Sequence, residues 1–338
     1  MVFRKAVAVF LSVLLCGVTA ARNQVWREPL SLWTDVVNKS PRKIRPYINL
    51  ASAYIDGRDF DRALDVLFKT TKVFKDTLFS GNLYYVSAAV EIYTNFAVMY
   101  GAKGDLNMAE EFLLKALETS PTSAKTLYAL GYLYIEKGDT RRAESFLQNA
   151  VSKGSEAKAD FLYADLLEKS GKDREALEHM EKAVWFEPDN ANFRNRLGIL
   201  LRSNGRPDEA EKQWLEASRL APLFAEPCIN LGSLMYERGL VRKAYKHYRR
   251  ALELAPGSYE ALVGAGNAMD EMGNHPMAVE TYGRAISADP RRPEAYVNLG
   301  IALERAGRKE EAREAYRNAL RNDPKDRQAA AGLGRLGS

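Results

Sequence analysis

The side chains most often used for catalysis or metal binding are few and scattered. Cys16 and Cys228 are the only cysteines, and His179, His247 and His275 the only histidines. A zinc or thiolate site needs several such ligands at short spacing, and no Cys-x-x-Cys or His-x-x-x-His pair occurs. One cysteine lies in an apolar leading segment and the other in a helical pattern, which excludes a disulfide framework. A Walker-type phosphate loop and the Gly-x-Ser-x-Gly nucleophile turn are also missing from the sequence. Carboxylates are abundant, but their spacing puts them beside lysines and arginines on solvated helix faces. Glu226, Glu260 and Glu294, each 34 residues from the next, form one regular acidic series. They either make a line for a basic peptide or complement the positive N-terminal ends of three helices. The expectation is therefore a chain without catalytic residues, metal or cofactor, whose chemistry is recognition.

Net charge narrows the partner. The formal charge is +5, and residues 1–60 hold nine Lys or Arg against four Asp or Glu, which is the whole excess. The other 278 residues are neutral. A nucleic-acid groove needs a basic stripe that releases counterions along its length, so nucleic acid is not expected as a ligand.

The elements that must position any site recur with a fixed period. Pro188, Pro222, Pro256, Pro290 and Pro324 stand 34 residues apart. Twelve residues before each comes Ala176, Ala210, Ala244, Ala278 or Ala312, and five before each comes Ala183, Ala217, Ala251, Ala285 or Ala319. Between each alanine pair stands a large residue: Met180, Trp214, Tyr248, Tyr282 and Tyr316. Small residues stand twenty-four before the proline: Ala164, Gly198, Gly232, Gly266 and Gly300. Small positions let two helices approach, and the large residue fills the space beside them. A glycine, from Gly57 in the first unit to Gly307 in the last, is expected to close the first helix in a left-handed conformation. The proline cannot continue the second helix. One such unit cannot bury its apolar face alone, so neighbours must stack.

This pattern, clearest at Asn230-Leu231-Gly232 and Asn298-Leu299-Gly300, resembles the tetratricopeptide-repeat consensus. The resemblance implies an all-α, right-handed superhelical solenoid of helix–turn–helix repeats. Its register places repeats at 44–77, 90–123, 124–156, 157–190, 191–224, 225–258, 259–292 and 293–326. Residues 22–43 hold a leading helix, 78–89 an insertion, and 327–338 a capping helix with a tail. The first repeat departs from the pattern, with Thr70 for the second alanine and Lys75 for the proline. The family implies a non-catalytic scaffold that holds a protein or extended peptide in a groove lined by first helices. At the sixth place of those helices stand Asn49, Asn95, Arg196, Asn230 and Asn298, with Ala129, Leu162 and Gly264 in the other repeats. Some members grip a peptide backbone with asparagines at this place, and an amide can both donate and accept there. The alternative is that these asparagines belong to the repeat's own packing.

The leader has a basic start, an apolar run over residues 6–21 and a small-residue Val18-Thr19-Ala20 site, the description of a signal peptide. The run of 16 residues makes ~24 Å of helix against a hydrocarbon core of ~30 Å. Residues 1–21 are thus expected to be a signal peptide or a membrane anchor, with the repeats on the non-cytoplasmic side, periplasmic or lumenal. Arg22-Asn23, Trp26, Leu32-Trp33, Asp35, Val37 and Lys39-Ser40-Pro41 resemble a junction in multi-spanning membrane glycosyltransferases of the transmembrane-and-tetratricopeptide O-mannosyltransferase type. That resemblance implies an alternative, the substrate-recruiting C-terminal portion of such an enzyme, although the catalytic spans have no counterpart here. Trp26 and Trp33, seven residues apart, would either pack on the first repeat or lie at a membrane interface.

Overall fold

The computed structural model describes residues 27–78, 82–154 and 157–337, and these form nineteen helices without a strand. They fall into two compact units, residues 1–166 and 167–338. The leader, Trp26 and Cys16 lie outside the described residues.

In the first unit, α1 (Pro29–Lys39) packs on α2 (Ile44–Asp56), which pairs with α3 (Phe60–Val73). A single turn, α4 (Lys75–Leu78), leads towards α5 (Leu83–Ala102) and its partner α6 (Leu106–Thr119). The pair α7 (Ala124–Glu136) and α8 (Thr140–Lys153) follows, and α9 (Ala157–Lys169) spans the division between the units. The second unit continues with α10 (Asp173–Phe186), α11 (Ala191–Ser203), α12 (Pro207–Leu220), α13 (Glu226–Glu237) and α14 (Val241–Leu254). It ends with α15 (Tyr259–Glu271), α16 (His275–Ala288), α17 (Pro293–Arg305), α18 (Lys309–Asn322) and α19 (Arg327–Leu336).

Local chemistry sets the helix ends. Asp59, Asp105 and Asp139 accept from the backbone N–H three residues on, at 3.3, 3.0 and 3.0 Å, and so cap α3, α6 and α8. At Gly205, φ is +75°, which ends α11 where an L side chain would be strained. The first repeat differs. Gly57 has φ −78°, and it is Arg58 that takes the left-handed conformation at +57°. The expected role of Gly57 is thereby corrected: the chain turns one residue later there, on a residue that carries a Cβ.

Size complementarity decides the packing within each pair. A Cβ built on Gly198 would come within 2.4 Å of Trp214, and one on Gly300 within 2.5 Å of Tyr316. Trp214 and Tyr316 are fully buried, and so are the alanines on either side of them in sequence, Ala210, Ala217, Ala312 and Ala319. The same Tyr316 ring also lies 2.5 Å from a Cβ built on Gly332 of α19, so one aromatic fills the gap inside its repeat and the gap to the next helix. In the first repeat Thr70 takes the alanine's place, fully buried, with its hydroxyl donating to the Val66 carbonyl at 2.6 Å.

The insertion is not a separate loop. α5 begins at Leu83, inside the segment set apart by the 34-residue register, because Asn82 caps it at the Tyr84 N–H and Ala88 and Ala89 are buried. Tyr84 is 55% exposed, whereas Tyr85 packs against the core of Tyr47, Ile48, Phe74 and Phe96. Trp33 is half-buried on α1.

First helices of successive repeats touch one another: α2, α5 and α7 in the first unit, and α11, α13, α15, α17 and α19 in the second. Among the described residues, second helices do so at most marginally. Each unit therefore presents one face built from first helices alone, and that face carries the sixth-place residues.

Candidate functional site

In the second unit the sixth-place amides bridge first helices. The Asn230 side chain donates an N–H to Asn195 Oδ1 at 2.9 Å, and Asn195 is itself buried, its backbone carbonyl accepting from Trp214 Nε1 at 3.1 Å. The Asn298 amide donates to Asn267 Oδ1 at 3.1 Å, an oxygen that also accepts from the Tyr282 hydroxyl at 2.7 Å. Arg196 reaches Glu168. In the first unit, Asn95 donates to Ser52 Oγ at 3.3 Å, and Asn49 is half-buried at the matching place on α2. The two asparagines of the second unit each spend one N–H in these bridges, which leaves a second N–H and the carbonyl oxygen for another group. The structure brings Arg196, Asn230 and Asn298 onto the first-helix face of one unit, and Asn49 and Asn95 onto that of the other.

Charged rungs run beside the amide ones. Arg202 pairs with Glu237 at 2.8 Å, Arg335 with Glu304 at 3.0 Å, and Arg305 with the buried Asp270, whose other oxygen lies 2.7 Å from His275 Nδ1. Burial opposes the charge on Glu304, but hydrogen bonds from Tyr316 and Arg335 prevail and hold its carboxyl below the usual range. The same burial, reinforced by the Glu304 charge, pushes the Tyr316 phenol well up. Tyr236, Asn267, Asp270, Glu271, Asn298 and Arg305 line a polar cavity of about 380 Å³. Burial, with Glu271 accepting from it, raises Tyr236 to about 12. Two members of the acidic series are bound from within: Arg292 contacts Glu260 at 2.6 Å and Glu294 at 3.3 Å and lies over the Tyr259 ring.

The first unit offers a different surface. Between α5 and α7 opens an apolar cavity of about 390 Å³, walled by Val98, Gly101, Ala102, Tyr128, Ala129 and Tyr132. The sequence reading missed it, although its signal is present: apolar residues stand on first helices where the second unit places Asn, Asp and Arg. The rung partners were missed as well, because Ser52 and Asn267 stand at the ninth place of their repeats and Asn195 at the fifth, and the ninth place holds different residue types from repeat to repeat. Among the described residues no group of three or more His, Cys, Asp or Glu could hold a metal ion. Among them, too, no helix is long and apolar enough to cross a membrane.

Models of the family described as tetratricopeptide repeat match residues 90–123, 112–145, 164–223 and 263–327, together just over half of the chain. No curated protein matches it. Among solved structures, a chain of the APC/C hetero-tetramer Cut9–Hcn1 is 14% identical with a TM-score of 0.58, over 90% of this chain and 58% of that one. The Pseudomonas aeruginosa pilF structure is 18% identical with a TM-score of 0.55, over 62% of this chain and 96% of that one. A tetratricopeptide repeat protein from Parabacteroides merdae is 17% identical with a TM-score of 0.55, over 73% and 98%. At such identities these likenesses speak to the fold alone. With its helix pairs, its glycine–aromatic contacts and these matching models, the chain belongs to the tetratricopeptide-repeat family.

Proposed function

We propose that the chain is a non-catalytic scaffold that holds an extended polypeptide against the face formed by its first helices. The observation that carries this reading is the set of half-buried amides on that face, each with hydrogen-bonding capacity left after its bridge to the preceding repeat. A peptide backbone presents alternating N–H and C=O groups, and an amide matches both. Each direct bond replacing one to water contributes about 0.5–1.5 kcal/mol net. The double change Asn230→Ala with Asn298→Ala should therefore weaken peptide binding by roughly one to two powers of ten, provided the effects add. Both changes also remove a rung, so melting temperature and affinity for an array of synthetic peptides are measured on the same sample. A lowered melting point with unchanged affinity would reduce the asparagines to packing elements.

Residues 1–21 are proposed to export the repeats or to anchor them away from the cytoplasm, on the strength of the apolar run and the Val18-Thr19-Ala20 site. N-terminal sequencing of the mature protein distinguishes cleavage, with Ala21 first, from an anchor that retains Met1. A reporter fused after Ser338 that works only in the cytoplasm would rule out both. The second reading, a recruiting portion of a membrane glycosyltransferase, is favoured by the junction around Trp26 and Trp33. It requires apolar spans encoded upstream of Met1, which the genomic reading frame decides.

A further inference from the structure

The cavity between α5 and α7 lies where a polar rung is replaced by apolar residues. In two other repeats the sixth-place asparagine reaches the ninth place of the preceding first helix, Asn95 to Ser52 and Asn298 to Asn267. Between α5 and α7 those two places hold Val98 and Ala129. Neither can form a hydrogen bond, and the helices leave an opening floored by Leu106, Ala109, Leu113 and Leu133. Val98 is 49% and Tyr132 50% exposed at its mouth, apolar surface that gains from being covered. At about 390 Å³ the cavity is near the small end of ligand pockets, suited to a side chain rather than to a folded element.

One charge stands at the rim. Glu136 is exposed and has no lysine or arginine within 4.0 Å among the described residues, whereas Lys137 beside it is taken by Glu110 and Lys103 by Asp61. The Glu136 charge, then burial, then a hydrogen bond between the two groups hold the Tyr132 phenol above its usual range, so carboxylate and aromatic act as neighbours. First-helix carboxylates elsewhere each have an arginine from a neighbouring first helix: Glu237 from the preceding one, Asp270 and Glu304 from the next. Glu136 therefore offers its charge outward, beside an apolar opening.

From this juxtaposition we infer that the cavity is a socket for one large apolar side chain of the bound peptide, with Glu136 selecting a lysine or arginine next to it. The inference rests on the peptide-binding reading above and names the partner's chemistry: a segment that pairs a leucine, methionine or phenylalanine with a basic neighbour. An acidic segment or an anionic lipid surface would meet Glu136 unfavourably.

The test uses the full chain and an array of synthetic peptides in which one residue is Leu, Phe or Ser and its neighbour Arg or Glu. Leu–Arg and Phe–Arg peptides should bind about ten- to a hundredfold more tightly than Ser–Glu peptides, the effect of burying one large apolar side chain. Gly101→Leu is the decisive variant, because no atom beyond the helix's own adjoining backbone lies within 4 Å of a Cβ at Gly101 and the new side chain grows into the opening. It should keep the melting temperature and abolish the preference for Leu and Phe, while Glu136→Lys should exchange the preference for Arg for one for Glu. Equal peptide binding by the wild type and Gly101→Leu would overturn the socket and leave the groove reading intact. Failure of the wild type to bind any peptide would overturn the groove reading itself. Displacement of the array peptides by a synthetic peptide of residues 1–26, or dimerisation that Gly101→Leu abolishes, would give the socket to the chain itself and overturn the proposed partner.

Discussion

Single residues in this chain carry sharply different burdens although they stand at equivalent places. Gly300 faces the Tyr316 ring so closely that even a methyl group must displace it. Gly300→Ala should thus cost roughly 1–3 kcal/mol, read from the urea midpoint, and an unchanged midpoint would contradict the packing described. His247 gives a pH signature. Burial disfavours its charged form, and Lys246 and Lys243 repel that charge more than Glu211 attracts it, so its pKa is lowered in the folded chain. The unfolded chain regains a value of about 6.5 and takes up more protons as the pH falls from there to the folded value. Stability is complete above that window and declines with acidification through it. His247→Gln should flatten the melting temperature across the window, whereas an unaltered slope would assign the dependence to other groups. At this scale the glycine–aromatic pairs were legible in the sequence, since size alone determines them. The rungs were not, because hydrogen-bond partners from adjacent repeats need only be near in space, as Asn230 and Asn195 are without sharing a place in the repeat.

At the level of the helices, the same residue type serves opposite purposes. Gly101 lies within α5 at an ordinary helical conformation with open space beside it, while Gly205 closes α11 at φ +75°. Gly101→Ala should stabilise by about 0.5–1 kcal/mol, through helix propensity, and Gly205→Ala should destabilise by about 1–2 kcal/mol. Arg58 holds in the first repeat the conformation that glycine holds elsewhere, so Arg58→Gly should relieve strain and raise the melting temperature. Any of the three moving in the other direction would count against this account. The helices of the later repeats follow the proline–alanine period, but the start of α5 does not. A period marks where a standard repeat begins and is silent about extra helix before it. Asn82, an N-cap just ahead of the apolar run that starts at Leu83, was the available signal.

Repeats bury their surfaces on their neighbours, so damage in such a chain is local and graded. Within the second unit, α19 packs on α17 and α18, and the Tyr316 ring of α18 is held between Gly300 of α17 and Gly332 of α19. Arg335 adds its pairing with Glu304, and Arg313 donates to the Leu336 carbonyl. Removing residues 327–338 exposes the outer side of Tyr316 and the apolar surface around Ala312 and Ala315, for a cost of roughly 3 kcal/mol. If stability is a sum over neighbours, amide hydrogen exchange should quicken in α17 and α18 while α11 and α12 of the same unit keep their protection. Gly332→Leu tests the same contact without shortening the chain, because its side chain would meet the ring and push α19 away. Loss of protection spread evenly from α11 to α18 in both variants would mean that the unit unfolds as one cooperative block, and the terminal helix would then be part of a single core instead of a cap on a stack.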